Sequence, residues 1–145
     1  MVIDESGEWW TGTEAADLAA YLRAYQAGGY KVDDVVDAVC GSCSRYEGFR
    51  VRFDPDEGFA ERTCASCGGE TVLLDGADIV DDVHPQALRC PCGGRTFDVA
   101  VGIARRKDDV RWVSVGVRCR KDGTLGCPVD WQIDYSPSAH LLDAV

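Results

Sequence analysis

The first part of the chain has the periodicity of an amphipathic helix. Apolar side chains recur there at the i, i+3, i+4 and i+7 spacing that places them on one helical face: Leu18, Tyr21, Leu22 and Tyr25. Thr13 is positioned to cap the N-terminus, and the pair Gly28-Gly29 favours termination. The pattern predicts a helix from about residue 14 to residue 27.

A shorter run of valines repeats this spacing immediately afterwards. Its members are Val32, Val35, Val36 and Val39. Their β-branched side chains would also suit a strand. We nevertheless predict a second short helix, which leads into the first pair of cysteines.

The middle of the chain has the pattern of a β-hairpin. The segments GFRVRF (residues 48–53) and FAERTC (residues 59–64) flank the turn sequence DPDEG. Runs of this composition on both sides of a Pro- and Gly-containing turn are typical of two paired strands.

Strict alternation of apolar residues predicts three more strands after residue 95. Successive side chains of a strand point to opposite faces, so alternate residues share a face, and three such sets could form the buried face of an antiparallel meander. The sets are Phe97, Val99, Val101 and Ile103, then Val113, Val115, Val117 and Cys119, then Cys127, Val129, Trp131, Ile133 and Tyr135.

The start of the chain and the length of its apolar segments predict a location in a reducing compartment. None of its segments approaches the roughly 18 apolar residues of a membrane span, and the start, MVIDESGEWW, is acidic where a secretory signal would be basic and then apolar. We therefore expect a cytoplasmic protein that is not bound to a membrane. Eight cysteines in such a compartment favour metal binding over disulfides.

The first four cysteines have the spacing C-x2-C-x20-C-x2-C, at Cys40, Cys43, Cys64 and Cys67. Each C-x2-C turn offers two sulfurs, and the intervening hairpin returns the second pair to the first, which would complete a tetrahedral zinc site. Over residues 40–69 the chain resembles the zinc-ribbon superfamily, with Gly68 following the second pair and Ser44 replacing the glycine that often follows the first. The resemblance implies a structural zinc ion and does not fix a function.

The later cysteines predict a second zinc site. Cys90 and Cys92 form a C-x-C turn, and the predicted meander brings Cys119 back beside it. We take Cys127 as the fourth ligand, because a hairpin with its tip at residues 121–125 would place it opposite Cys119. The alternative ligand is Asp122, in a Cys119-Arg-Lys-Asp122-Gly123 turn. A third interpretation has no second metal and treats Cys127 as a small apolar residue of the core.

Together these patterns predict an α+β protein with two zinc ions, divided into five segments. They are an N-terminal helical segment (1–39), a zinc-ribbon module (40–76), a linker (77–89), a second zinc-binding module whose three strands form an antiparallel sheet (90–136) and a C-terminal tail (137–145).

Charge is unevenly distributed along the chain. The net charge is −10, yet residues 89–121 contain nine bases and three acids. Six of the bases could contact the phosphates of a nucleic acid, with Trp112 as a stacking platform: Arg105, Arg106, Lys107, Arg118, Arg120 and Lys121. Docking of acidic residues on this segment is the competing interpretation.

The sequence contains no recognisable catalytic group. His84 and His140 are its only histidines, and neither stands at a metal-ligand spacing or beside a nucleophile. We therefore favour a non-catalytic zinc-binding adaptor that binds another protein through acidic and aromatic surfaces. We expect the aromatic pair Trp9 and Trp10 to pack onto the core.

Two alternatives remain. One is a nucleic-acid-binding module that uses the six basic residues. The other is a metalloenzyme with an open zinc position at Cys90, Cys92 and Cys119, which would have three protein ligands where a structural site has four.

Overall fold

The computed structural model of the chain describes residues 3–4, 10–40, 43 and 48–145. Within these residues the α-helix, α1, spans Asp17–Tyr25, and short 3-10 helices occupy Ala27–Gly29, Gly76–Asp78 and Ala139–Asp143. The strands are β1 (Ile3–Asp4), β2 (Thr11–Gly12), β3 (Asp34–Asp37), β4 (Phe49–Asp54), β5 (Phe59–Cys64), β6 (Glu70–Val72), β7 (Gln86–Ala87), β8 (Phe97–Arg106), β9 (Asp109–Cys119) and β10 (Leu125–Gln132).

Eight of these strands form one antiparallel sheet. Its main order is β10-β9-β8-β4-β5-β6, while β3 pairs with β8 and β7 pairs with β4. The strands of both predicted zinc-binding modules therefore belong to one sheet, and β8, β9 and β10 are neighbours within it. The helix and the antiparallel strands agree with the predicted α+β class. The predicted segment boundaries remain a prediction.

The junction between the two halves of the sheet is narrow. Strands β4 and β8 pair only through Phe49 opposite Phe97, because β3 occupies the rest of that edge of β8, opposite residues 100–103. The two phenylalanine side chains are buried in the main core. The two halves are therefore joined more by side-chain packing than by backbone hydrogen bonds.

The central strand β8 is buried on both faces. One face carries the predicted apolar set from Phe97 to Ile103, which joins the main core. Small residues on the opposite face allow α1 to pack closely: a Cβ atom added at Gly116 of the neighbouring β9 would lie 2.9 Å from Leu22 Cδ2. Alternation in β8 thus places large side chains on the face toward the main core and small ones on the face toward α1, and both faces are buried.

The first helix is confirmed but shorter than predicted. It begins at Asp17 because the Asp17 carboxylate accepts backbone N–H bonds from Thr13 (2.7 Å) and Glu14 (3.2 Å), and these residues form the turn before the helix. The prediction of Thr13 as the cap is therefore wrong. The helix ends where Gln26 takes a left-handed conformation, with φ of 49°.

The prediction of a second helix over residues 32–39 is wrong. Residues Asp34–Asp37 form β3, which pairs with β8. The β-branched valines suit this extended conformation, and the vacant edge of β8 supplies the backbone hydrogen bonds. By contrast, the predicted hairpin strands at 48–53 and 59–64 match β4 and β5, which pair from Phe49–Cys64 to Asp54–Phe59.

Candidate metal centres

The four cysteines of the first motif converge at one end of the sheet. The Sγ atoms of Cys40, Cys43, Cys64 and Cys67 all lie within 4.8 Å of one another, in an arrangement that can hold a metal ion. The Sγ atoms of Cys40 and Cys67 are 3.6 Å apart. Cys64 is buried and Cys67 is exposed, so the group opens to solvent on one side.

A glycine-containing turn presents Cys64 and Cys67. The N–H of Cys64 donates to the carbonyl of Gly69 (2.9 Å), and the N–H of Gly68 donates back to the carbonyl of Cys64 (2.8 Å). Gly68 has φ of +75°, a conformation that favours glycine. The corresponding turn after Cys40 includes residues outside the described part of the chain.

A buried arginine lies beside this first group. Arg62, on β5, is only 6% exposed, and its guanidinium lies over the Phe49 ring, 4.6 Å from the centroid. Its Nη2 donates to the carbonyl of Val39 at 3.3 Å, immediately before Cys40, and to that of Val145 at 2.8 Å. Arg62 thus fixes the backbone that leads into Cys40. The sequence analysis did not identify Arg62. The only signal in the sequence that Arg62 is buried was its place in the alternation of β5.

The second group contains three cysteines and one carboxylate. The Sγ atoms of Cys90, Cys92 and Cys119 and a carboxylate oxygen of Asp122 lie within 4.8 Å of one another. The Cys92 and Cys119 sulfurs are 3.6 Å apart, and Cys90 Sγ lies 3.5 Å from Asp122 Oδ1. This group can also hold a metal ion, with Asp122 at the fourth position.

The turn that carries Asp122 repeats the hydrogen bonding of the Cys64 turn. The N–H of Cys119 donates to the carbonyl of Thr124 (2.8 Å), and the N–H of Gly123 donates to the carbonyl of Cys119 (2.8 Å). Gly123 has φ of +81°. Asp122 therefore occupies the position that Cys67 has in the first turn, and its carboxylate oxygens, one bond further from the backbone than a cysteine sulfur, face Cys90, Cys92 and Cys119.

The C-x-C turn is a shorter form of the same arrangement. The N–H of Cys90 donates to the carbonyl of Gly94 (2.9 Å), and the N–H of Gly93 donates to that of Cys90 (2.8 Å). Gly93 has φ of +91°, and the N–H of Gly94 points at Cys92 Sγ, 3.4 Å away. One fewer residue between the ligands is thus accommodated by a turn one residue tighter.

Cys127, which we expected as the fourth ligand, lies elsewhere. A bulge between Gly126 and Val129 shifts the register of β10 against β9, and it moves the preceding residues to the opposite face. Cys127 consequently packs with the α1 side chains, where burial raises the pKa of its thiol to about 12. The expected pairing with Cys119 also fails because Leu125 lies opposite Arg118, which makes the turn tighter than predicted.

The environments of the two groups affect their ionisation differently. Backbone N–H bonds, chiefly from Cys67, lower the pKa of Cys64 in spite of its burial. Burial raises the pKa of Cys90 and raises that of Cys119 to about 12. Burial opposes ionisation of Asp122 as well, but hydrogen bonds from Thr124 outweigh it and lower its pKa to about 2. A metal ion at the second group must therefore displace protons from buried thiols.

Both groups lie at the same end of the sheet. Paired residues run across four adjacent strands in the order Cys64, Phe49, Phe97 and Cys119. With neighbouring strands about 4.8 Å apart, Cys64 and Cys119 are separated by about 14 Å. The narrow junction between β4 and β8 thus lies between the two groups.

The basic residues considered for nucleic-acid binding lie at two opposite ends of the β8–β9 hairpin. Arg105, Arg106 and Lys107 are beside its turn. Arg118 lies opposite Asp98, which is eight residues before Arg106 on β8. The two ends are therefore about 26 Å apart along the strand. Arg120 and Lys121 are at this second end.

Several of these bases already contact acids or backbone. Arg118 and Arg120 both bind the buried Asp98, at 3.0 and 3.1 Å. Arg105 forms an ion pair with Asp34, and the Lys121 ammonium lies 3.5 Å from the carbonyl of Cys92.

The tryptophans of the described region are also engaged. Trp112 stacks on Tyr30 with a centroid separation of 5.2 Å, and its indole N–H donates to Asp130 at 2.9 Å. Trp10 contacts Tyr21 edge-on and packs on the α1 cluster, which confirms the expectation for this residue. Trp9 lies outside the described residues.

Comparisons with protein-family models, with curated proteins and with solved structures found no match to this chain. Among the described residues, no helix has the length and apolar character needed to cross a membrane.

Proposed function

We propose that the protein binds two zinc ions whose role is structural, and that it acts as a non-catalytic adaptor for another protein. The observation that carries this proposal is the convergence of two four-ligand groups on glycine-containing turns. The first group is the zinc-ribbon site that the sequence resemblance implies.

Zinc fits both the donor atoms and their spacing. A tetrahedral ion with Zn–S bonds of about 2.3 Å separates two sulfur ligands by about 3.8 Å. The Cys40–Cys67 and Cys92–Cys119 pairs are each 3.6 Å apart, which is close to this value. Thiolates favour a borderline-soft ion, and zinc also accepts a carboxylate oxygen such as that of Asp122.

The position of the two groups supports a structural role. The first would tie the segment after β3 to the end of β5, and the second would tie the loop before β8 to the β9–β10 turn. Both ties lie beside the single Phe49–Phe97 pairing that joins the halves of the sheet. Zinc there would hold together two halves of the sheet whose described strands β4 and β8 share one residue pair.

The ligand count favours this proposal over a metalloenzyme. Catalytic zinc sites keep one position for water or substrate, whereas structural sites are closed by four protein ligands. An open site at Cys90, Cys92 and Cys119 would need its fourth position free for water or substrate, and Asp122 lies where it can take that position. Nothing in the arrangement of the basic residues favours nucleic-acid binding, since they are divided between two ends of a hairpin and three of the arginines contact acids.

Metal analysis and native mass spectrometry of the purified protein test the structural part of the proposal. We expect two zinc ions per chain. When a chelator removes both, we expect the narrow charge-state distribution of the folded protein to be lost. No bound metal, or stoichiometric iron alone, would contradict it. The adaptor part is tested by affinity capture with the zinc-loaded chain, using as the control Cys64→Ala, which removes one sulfur of the first group; partners captured equally by both would argue against an adaptor surface.

A further inference from the structure

A cavity away from both metal groups has walls of unusual composition. It has a volume of about 350 Å³ and lies between the β4–β5 turn, the segment around Gly76–Asp78 and the end of β10. Its chemically active lining residues are two aromatic and three acidic ones: Trp131, Tyr135, Glu57, Asp75 and Asp78. No lysine or arginine of the described chain lines it.

One carboxylate orients both aromatic rings. The Trp131 indole N–H donates to Asp75 Oδ1 at 3.2 Å, and the Tyr135 hydroxyl donates to Asp75 Oδ2 at 2.9 Å. The polar edge of each ring is therefore satisfied by Asp75, and what remains of each ring is apolar and π surface. Gly58 packs directly against Trp131, since a Cβ atom there would lie 2.9 Å from Trp131 Cβ. The walls of the cavity are thus built by specific contacts.

The remaining acids give the cavity a negative potential. Glu57 and Asp78 are exposed, and no side-chain hydrogen bond or ion pair within the described part of the chain neutralises either of them. The same potential is felt by the phenol: burial and the neighbouring aspartates raise the pKa of Tyr135 to about 12. Aromatic faces and uncompensated carboxylates together attract an organic cation.

We infer that this cavity binds the guanidinium or ammonium side chain of a basic segment in a partner protein, which deepens the adaptor role and rests on it. An arginine is the better fit, because its planar guanidinium stacks on an indole while its N–H groups reach carboxylates. The cavity, at about 350 Å³, has room for such a side chain. A bare metal ion is a poorer fit, because both oxygens of Asp75 already accept hydrogen bonds and Ca²⁺ requires six to eight oxygen ligands.

Titration of the zinc-loaded full chain with small model ligands tests the inference. The probes are the blocked peptide acetyl-Gly-Arg-Gly-amide and its citrulline counterpart, which is nearly the same shape but uncharged. NMR would follow the Trp131 indole N–H signal, assigned with Trp131→Phe. We expect saturable binding of the arginine peptide with a Kd of about millimolar size, weaker binding in 0.5 M NaCl, and no binding of the citrulline peptide.

Charge-neutralising variants localise the binding. Glu57→Gln and Asp78→Asn should each weaken it about fivefold, the effect of one exposed charge pair at close range, whereas Glu14→Gln, an exposed acid near α1, should leave it unchanged. Equal binding of the citrulline peptide, unchanged affinity in both cavity variants, no binding at 20 mM peptide, or displacement of the peptide by Ca²⁺ at equal concentration would overturn the inference. Zinc content, measured on the same samples, separates failure of this cavity from failure of the proposed structural zinc sites.

Discussion

If Asp122 is the fourth ligand of the second site, alanine substitution should affect zinc binding at Asp122 and should not affect it at Cys127. Asp122→Ala should greatly weaken zinc binding at that site, because it removes the only oxygen donor of the group. Cys127→Ala should leave zinc binding unchanged, because Cys127 packs against the α1 cluster on the other face of the sheet. A sequence-based alignment of the hairpin would predict the reverse.

The size of the effect follows from the energetics of structural zinc sites. Such sites bind zinc with roughly 10–16 kcal/mol, so one of four ligands contributes about 3 kcal/mol. Loss of the carboxylate should therefore raise the Kd about a hundredfold. Cys127→Ala removes one partly buried sulfur and should lower the free energy of unfolding by about 1 kcal/mol, without a change in metal content.

Chelator competition with a zinc indicator measures both affinities in one titration. Asp122→Cys provides the matched control, because it converts the second turn to the same pair of ligands as Cys64 and Cys67 and should retain two zinc ions. Co²⁺ substitution adds a spectroscopic check, since three and four thiolates give charge-transfer bands of different intensity. Full zinc content in Asp122→Ala together with loss of one zinc ion in Cys127→Ala would refute the ligand assignment.

Three further outcomes are expected. Arg62→Met should weaken zinc binding at the first site about tenfold, because it releases the backbone before Cys40, while the exposed neighbour Arg50→Met should not; equal affinities in chelator competition would contradict this role. Gly116→Val should lower the free energy of unfolding by about 1–3 kcal/mol, because the new side chain would collide with Leu22. Gly126→Ala should be mild, because the added Cβ would make only an ordinary contact with Val117 Cγ2, at 3.8 Å; equal urea midpoints would count against the packing explanation. The chain carries a net charge of −10, so raising NaCl from 0.05 to 1 M should raise its melting temperature by screening repulsion, and a fall would show that attractive ion pairs dominate.

The parts of the structure that sequence could predict are those determined by local pattern. Strand-like composition around a turn predicted β4 and β5, alternation predicted the three late strands, and the C-x2-C spacing predicted the four cysteines of the first group, which converge in an arrangement that can hold a metal ion. Asp122 also had a local signal, since Cys119-x-x-Asp122-Gly123 has the same spacing as Cys64-x-x-Cys67-Gly68. The prediction of Cys127 rests on cysteine being the commoner zinc ligand, whereas the glycine that defines the turn indicates Asp122.

The errors have non-local causes. Whether the valines of residues 32–39 form a helix or a strand depends on the free edge of β8, which lies more than 60 residues further along the chain. The position of Cys127 depends on a bulge in β10, and residues before the bulge lie on the opposite face from the one that strict alternation predicts. The alternating sequence pattern does not reveal this change of face. Arg62 is a charged residue in a buried position, and its partners Val39 and Val145 come from distant parts of the chain.

The row from Cys64 through Phe49 and Phe97 to Cys119 places both proposed metal sites beside one junction of the sheet. A sheet joined by one residue pair at its centre can separate there at low cost, because few backbone hydrogen bonds oppose the opening. Each proposed zinc ion would fix the end of a strand about two strand spacings or less from that pair, so both ions act on the same junction. Removing either one should then weaken the hold of the other, and the two sites should lose zinc cooperatively although they share no ligand. Two independent zinc affinities in the titration described above would instead mean that the phenylalanine packing holds the junction by itself.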